Sequence, residues 1–331
     1  MEGVHGRLAS VGVVGLGHLG ASLAAALTND VTVVGFDSNP VSMSIVVQRF
    51  GINTAASLLD LVCQSELIVL AVPTPAVRGV RDQLETLADL TGSRPVVCDI
   101  ASVKNELALD DDTPSSLSYI SLHPMAGREG NGAESADPSI FANANWAVVL
   151  TGQEEPQALA SALLVPLTLG NGVIPILLAD HDRAIAMVST LPHVSAVALG
   201  RLVGQAADRV LLRRLAAGSI RDSVRVARTD PARIVEMLYP NRAQLIGAID
   251  ALIGELQACL VHLEDERWLL AWTRDGHDGA CSLDDRDGRR SSSHVPQALL
   301  VDELIRLAGD GAMIVGLGWE GDDFRLDLVG G

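Results

Sequence analysis

The stretch VGVVGLGHLGASLAAAL, residues 11–27, decides the fold. A short β-branched run, VGVV, meets Gly15-Leu16-Gly17-His18-Leu19-Gly20, and an alanine- and leucine-rich helical run follows without a break. A bare G-x-G-x-x-G is a weak signal. Here a strand precedes it, a helix follows it, and an acid, Asp37, closes the next apolar run, which together point to a dinucleotide site. Gly15 permits the tight turn, Gly17 lets the backbone approach a pyrophosphate, and Gly20 lets the helix pack closely on the sheet. The first helical turn, with His18 and Leu19, offers free N–H groups and a partial positive charge to the phosphates. Asp37 is placed to accept hydrogen bonds from the adenosine ribose hydroxyls and would repel a 2′-phosphate. Ser38-Asn39-Pro40 supplies no arginine to offset that repulsion, so NAD is expected over NADP.

Outward from this unit the same rhythm continues. VTVVGFD (31–37), LIVLAV (67–72), PVVCDI (95–100), SYISLH (118–123), WAVVLTG (146–152) and GVIPILL (172–178) are short apolar runs between helical patterns. Continuous rather than alternating apolar character suits parallel strands buried on both faces. The expectation is an α/β fold, a Rossmann-type doubly wound parallel sheet over residues 1–180. AVPTPAV (71–77) either lines the nicotinamide side through Val72 and Pro73 or is an ordinary proline-bearing strand exit. From 181 to 273 apolar residues recur at three- and four-residue intervals, which predicts an all-α second domain. Residues 274–294, RDGHDGACSLDDRDGRRSSSH, are polar and aperiodic and read as a flexible linker. Residues 295–331 read as a small α-β-β appendage that docks on the body or on a partner subunit.

With 41 acidic against 24 basic residues the 331-residue chain carries a formal charge of -17. That opposes nucleic acid and anionic membranes, and an anionic substrate needs its own arginines. The N-terminus has no basic stretch followed by an apolar core, and the four cysteines lack metal-ligand spacing. They read as buried thiols of a cytoplasmic protein, with no metal and no membrane partner.

Three further segments gather polar residues where strands end or helices begin: DIASVK (99–104), HPMAGREGNG (123–132) and STLPHVSA (189–196). On these the chain resembles the prephenate/arogenate dehydrogenase family, the TyrA-like enzymes of tyrosine biosynthesis, from the glycine loop to about residue 250. The resemblance implies NAD-dependent oxidative decarboxylation of a cyclohexadienol. His123, in the His-Pro-x-x-Gly stretch, would accept the hydroxyl proton, and its ordinary pKa of about 6.5 leaves it mostly neutral at pH 7. Ser102 would orient His123 or the substrate hydroxyl, or cap a helix, and both roles can coexist. Lys104 reads as a solvated helix residue. Glu129 and His193 match family residues of the substrate cleft. Arg225, within Arg221-Asp222-Ser223-Val224-Arg225-Val226-Ala227, matches the clamp for the ring carboxylate, since a guanidinium meets a carboxylate with two parallel hydrogen bonds. Arg128 either contacts an anionic tail or is an exposed loop residue. Arg213, Arg214 and Arg228 read as a solvated face.

The pattern departs from the family at Thr190, where a histidine often stands, at Ala232-Arg233-Ile234, where a tryptophan is common, and around Arg128. Those departures bear on the substrate's side chain: prephenate is the first expectation, with arogenate and 4-amino-4-deoxyprephenate as alternatives. The resemblance also implies a homodimer through the helical domain. A hydroxyacid or imine reductase would carry a helix-borne lysine within 181–200, which holds His181 and His193 and no lysine. A catalytically silent nucleotide-binding interaction protein is the non-enzymatic alternative, and it conflicts with the retained His123, Ser102, His193 and Arg225.

Overall fold

The computed structural model describes residues 8–105, 107, 116–127, 130–283, 288–321 and 323–330. Strands β1 (Ser10–Val14), β2 (Thr32–Phe36), β3 (Asn53–Thr54), β4 (Leu67–Leu70), β5 (Val96–Asp99), β6 (Tyr119–Pro124), β7 (Trp146–Leu150) and β8 (Val173–Leu177) form one sheet with β9 (Arg290–Pro296), β10 (Met313–Glu320) and β11 (Asp323–Val329). Its order is β3-β2-β1-β4-β5-β6-β7-β8-β10-β11-β9. Strands β1 to β6 run parallel. The helices between them are α1 (His18–Leu27), α2 (Pro40–Phe50), α3 (Leu58–Gln64) and α4 (Thr74–Thr91). α5 (Pro156–Thr168) joins β7 to β8.

β1 and β4 are apolar because both of their faces are covered. Val11, Val13, Leu67 and Val69 belong to one buried cluster, while Val14, Ile68 and Leu70 belong to the other. Successive side chains point to opposite faces, so each four-residue run fills two cores. Each fully buried aliphatic side chain stabilises by about 1.5–3 kcal/mol.

The parallel sheet stops at β6. β7 pairs antiparallel to it, Ser121 opposite Val149 and Pro124 opposite Trp146. The connection between them folds back over α1: Arg49 donates to the carbonyls of Ala133 and Ala136 at 2.9 and 3.1 Å, and the Asp137 N–H donates to Ser22 Oγ at 2.9 Å. A connection that leaves and re-enters the sheet at the same end of the strands, here Pro124 opposite Trp146, delivers an antiparallel strand.

The expected linker at 274–294 and separate appendage at 295–331 are corrected. Helix α12 (Glu266–Ser282) runs through that stretch as far as Ser282, and β9 takes its end. α12 starts where Asp265 accepts from the N–H groups of Arg267 and Trp268. None of its described residues is buried, so its polar composition is that of a solvated helix. β9 is an edge strand paired with β11, Ser291 to Ser293 opposite Leu328 to Leu326. Backbone ladder bonds, not apolar side chains, hold it in place. α13 (Leu300–Asp310) buries Leu300, Leu304 and Leu307 in the main core, and Ile314 of β10 pairs with Val173 of β8.

Contacts divide the chain into a first unit, Met1–Asp182 with Arg290–Gly331, and a second, Arg183–Arg289. α6 (Leu178–Ile185) follows β8. The second unit holds α7 (Leu191–Gln205), α8 (Arg209–Leu215), α9 (Gly218–Ser223), α10 (Pro231–Leu238), α11 (Arg242–Val261) and α12. A widened turn, Ala186–Thr190, precedes α7. Pro192 has no N–H for the next regular helical bond, which is the local reason for the irregularity.

Candidate active site

The glycine loop lies at the carboxyl edge of β1, where strand order reverses between β1 and β4; open α/β sheets place their ligands at such a switch point. Gly15 has φ +90°, and a Cβ there would stand 2.6 Å from the Ala71 carbonyl oxygen and 2.9 Å from Val72 Cγ1. The loops after β1 and β4 therefore touch, with Val72 half-buried and Pro73 exposed beside the glycine loop. A Cβ on Gly20 would fall 1.9 Å from the Gly15 carbonyl oxygen, so helix and turn meet at backbone distance. A Cβ on Gly17 would meet no described atom within 4 Å beyond its own chain neighbours. No side chain caps α1, which leaves its first N–H groups for a ligand. Asp37 Oδ2 accepts from the Leu16 N–H at 2.6 Å and Oδ1 from the Asn39 N–H at 2.7 Å, holding the acid against the loop. An open glycine, an uncapped helix and a fixed acid fit the pyrophosphate and ribose of a dinucleotide.

His18 takes a different place from the one its position in the motif suggests. Its ring is buried, with Nδ1 2.9 Å from the Ser135 carbonyl oxygen and 3.0 Å from Ser135 Oγ. The side chain ties α1 to the connection after β6, and only its backbone remains on the ligand side. Leu19 is half-buried and packs against the main core.

His123 sits near the end of β6, three strand spacings, about 14 Å, from β1 along the same carboxyl edge. It is 8% exposed. Its Nδ1 lies 3.0 Å from Nε2 of His181, and Nδ1 of His181 lies 2.7 Å from Asp182 Oδ1. Asp182 also accepts from the backbone N–H groups of Lys104 and Asn105, at 2.9 and 2.8 Å. Burial pushes the Asp182 carboxyl up, but the hydrogen bonds from His181, Asn105 and Lys104 outweigh it and hold the group below the usual carboxylate range.

A carboxylate only accepts, so His181 carries its proton on Nδ1 and presents a lone pair at Nε2. The contact with His123 then needs the hydrogen on His123 Nδ1. That leaves the lone pair of His123 on Nε2, which forms no hydrogen bond with any described residue.

Beneath the histidines lies an ion pair. Lys104 is 1% exposed, donates to Asp99 and reaches the Leu122 carbonyl at 2.7 Å. Tyr119 and Ser121 donate to the other oxygen of Asp99, each at 2.8 Å. Burial pulls the Lys104 ammonium below its ordinary pKa, against the opposing attraction of Asp99. Burial, then His181, then Lys104 hold the His123 imidazole well below its usual value, so it is neutral at pH 7.

Lys104 is thus not a solvated helix residue. Ser102 is half-buried, no described helix starts there, and His123 Nδ1 engages His181 rather than Ser102. His181, Asp182, Asp99, Tyr119 and Ser121 escaped the sequence reading of the site. The adjacent His-Asp pair directly after the last apolar run was the available signal. Arg128 and Glu129 lie outside the described residues.

In the helical unit His193 stands in the first turn of α7, its Nδ1 2.9 Å from the Ser189 carbonyl oxygen. Arg225 begins a short 3-10 turn, exposed, with no ion pair to any described residue. Arg213, Arg214 and Arg228 are exposed, as expected of a solvated face, and Arg213 and Arg228 also line, with Arg209, Arg221, Val203, Ile220 and Val224, a cavity of about 410 Å³. The cysteines differ from expectation too. Only Cys98 is buried, and its thiol is pushed up by burial and by Asp99, whereas Cys63 and Cys281 are exposed.

Residues 23–174 match the prephenate dehydrogenase nucleotide-binding domain, and residues 178–271 match the prephenate dehydrogenase dimerization domain. The chain belongs to the prephenate dehydrogenase family. It is 29% identical over 257 residues to the cyclohexadienyl dehydrogenase of Zymomonas mobilis, covering 75% of this chain and 86% of that one. Among solved structures it is similar to Synechocystis arogenate dehydrogenase (TM-score 0.68, 26% identity, 82% and 99% of the two chains). It also shares the fold of Aquifex aeolicus prephenate dehydrogenase, solved with hydroxyphenyl propionate and NAD+ (TM-score 0.70, 22% identity, 84% and 99%). These family relatives are dehydrogenases whose names differ in the cyclohexadienol they oxidise.

Proposed function

We propose that this chain is a cytoplasmic NAD-dependent prephenate dehydrogenase of tyrosine biosynthesis, producing 4-hydroxyphenylpyruvate and carbon dioxide, with arogenate as the second candidate substrate. The observation that carries the reading is His123: a buried, neutral imidazole whose Nε2 lone pair is bonded to no described residue, on the strand edge that also holds the glycine loop. That is the equipment for removing a hydroxyl proton from a bound carbinol.

Gly15, Gly17 and Gly20, the first turn of α1 and Asp37 would hold NAD, with Val72 and Pro73 beside the nicotinamide. Bound there, NAD supplies the hydride acceptor. His123 Nε2 takes the hydroxyl proton. Arg225 pairs with the ring carboxylate, which leaves as carbon dioxide, and His193 and Ser102 position the ring. Arg128 and Glu129 set the charge around the substrate's tail. The NAD preference rests on Asp37, whose carboxylate disfavours a 2′-phosphate. Two copies pair through the helical domain, as the match to a dimerization domain supports.

The test is a steady-state assay at 340 nm with prephenate and arogenate, each with NAD and NADP, on the wild type and His123→Asn. The expected result is turnover with NAD and a fall in kcat of about 10²–10⁴-fold in the variant, the usual contribution of a general base, with little change in KM. An unimpaired variant removes His123 from the chemistry.

A further inference from the structure

A buried, neutral His123 raises a difficulty that the site itself answers. On accepting a proton at Nε2 it would become a buried imidazolium, with burial first, then His181, then the Lys104 ammonium opposing the charge. One residue further along, the surroundings reverse. His181 faces Asp182 at 2.7 Å, and Asp182 is anchored by two backbone N–H groups and carries a full negative charge. His123 and His181 are joined nitrogen to nitrogen at 3.0 Å, with one hydrogen between them.

We propose that His123, His181 and Asp182 form a proton relay, in which the proton taken from the substrate hydroxyl by His123 is stored on His181 against Asp182. The proposal rests on His123 being the base of the reaction described above. The balance is as follows. The substrate O–H bond breaks and an Nε2–H bond forms on His123. The His123 Nδ1–H bond breaks and an Nε2–H bond forms on His181, which becomes an imidazolium paired with the Asp182 carboxylate. His123 ends neutral, with its hydrogen moved from Nδ1 to Nε2. The electron pair left on the substrate oxygen forms the carbonyl as hydride passes to NAD. Loss of carbon dioxide returns an electron pair to that oxygen as the ring becomes aromatic, and the stored proton travels back along the same two hydrogen bonds to give the phenol. Only NAD is reduced, and no proton is gained or lost overall.

The groups facing the pair explain the direction. Lys104, on the loop after β5, is held by Asp99 of β5, which Tyr119 and Ser121 of β6 also bond. Those contacts screen Asp99 from the histidines and leave the ammonium beside His123. Among the described residues, Asp182 of α6 is the one that faces His181 with negative charge. The carboxylate 2.7 Å from its Nδ1 makes His181, not His123, the member on which an added positive charge is compensated. His181 acts on the substrate only through His123, so it is a positioning and storage residue.

The discriminating variant is His181→Gln. Its amide oxygen can still accept the His123 Nδ1–H and hold the ring, but it cannot take the proton. Asp182→Asn is the companion variant, since it keeps an oxygen acceptor and removes the charge. NAD affinity within twofold of wild type reports that the nucleotide unit is folded. Expected in both variants are a KM within about threefold of wild type, a kcat lowered at least tenfold, and an acidic limb of the kcat/KM–pH profile moved to lower pH, because the proton must now rest beside Lys104. Turnover in H2O–D2O mixtures is expected to curve with deuterium fraction in the wild type, where two protons move, and to become linear in His181→Gln. A wild-type enzyme that turns over, with His123→Asn inactive and His181→Gln unchanged in kcat and pH profile, overturns the relay and leaves the function standing. A wild type inert toward every cyclohexadienol overturns the function itself.

Discussion

At the scale of single residues the account turns on how one imidazole is kept neutral and aimed. His123 contributes hydrogen-bonding geometry through Nδ1 and basicity through Nε2, and the environment that suppresses its charge also makes stability depend on pH. Its pKa is about 6.5 when unfolded and lower when folded, so between those values the unfolded chain binds the extra proton. Stability attributable to this group is therefore present above about pH 6.5 and lost as the pH falls through the folded value. Asp182 acts with the same sign further down, its contribution lost as pH falls through its own lowered pKa. Urea unfolding should give a lower midpoint at pH 5.5 than at pH 7.5, and His123→Asn should narrow the gap. Equal gaps in wild type and variant would show that His123 is not held neutral by the fold.

Among the elements, those whose burial is symmetric were legible in the sequence. β1, β2, β4 and β5 announce themselves as apolar runs because both faces are covered. β9 and α12 were hidden for the opposite reason: an edge strand of serines and a solvated helix show no apolar period, and only ladder bonds and a cap reveal them. The reversal at β7 was invisible because strand direction follows from the path of residues 125–145, set by the bonds of Arg49, Ser22 and Ser135. His123 stood out by its motif and is proposed as the base, whereas Lys104 was misread because a pairing five residues back to Asp99 depends on a turn that composition does not encode. The two inner glycines of the loop separate packing from binding. Gly17→Ala, with open space at its Cβ, should leave thermal stability unchanged and weaken NAD at least tenfold, about 1.4 kcal/mol. Gly20→Ala, which drives a methyl into the Gly15 carbonyl, should lower both, as read by melting and by fluorescence titration with NAD. Unchanged NAD affinity in Gly17→Ala would move the pyrophosphate elsewhere.

For the whole molecule, the first unit has a large core while the second leaves apolar side chains in solvent. Leu260 and Val261 at the end of α11 are 73% and 76% exposed, Leu202 on α7 is 70% exposed, and Ile246, Ile253 and Leu256 are exposed along α11. α11 and residues 178–205 are long and apolar enough to cross a membrane by composition, and both lie in or overlap the region matching a dimerization domain. Contiguous apolar surface of that kind marks an interface. Light scattering should report twice the 34.7 kDa of one chain, and a lone monomer at micromolar concentration would contradict the paired helical domain. The excess of 41 acids over 24 bases leaves an anionic substrate dependent on a few placed arginines, and Arg225 is the one we propose for the ring carboxylate. The central claim is that one site couples hydride removal to loss of the ring carboxylate. Its most direct test is simultaneous measurement of NADH at 340 nm and released carbon dioxide from the wild-type protein given prephenate or arogenate. The account predicts one carbon dioxide for each NADH; NADH without carbon dioxide, or neither product from either substrate, would contradict it.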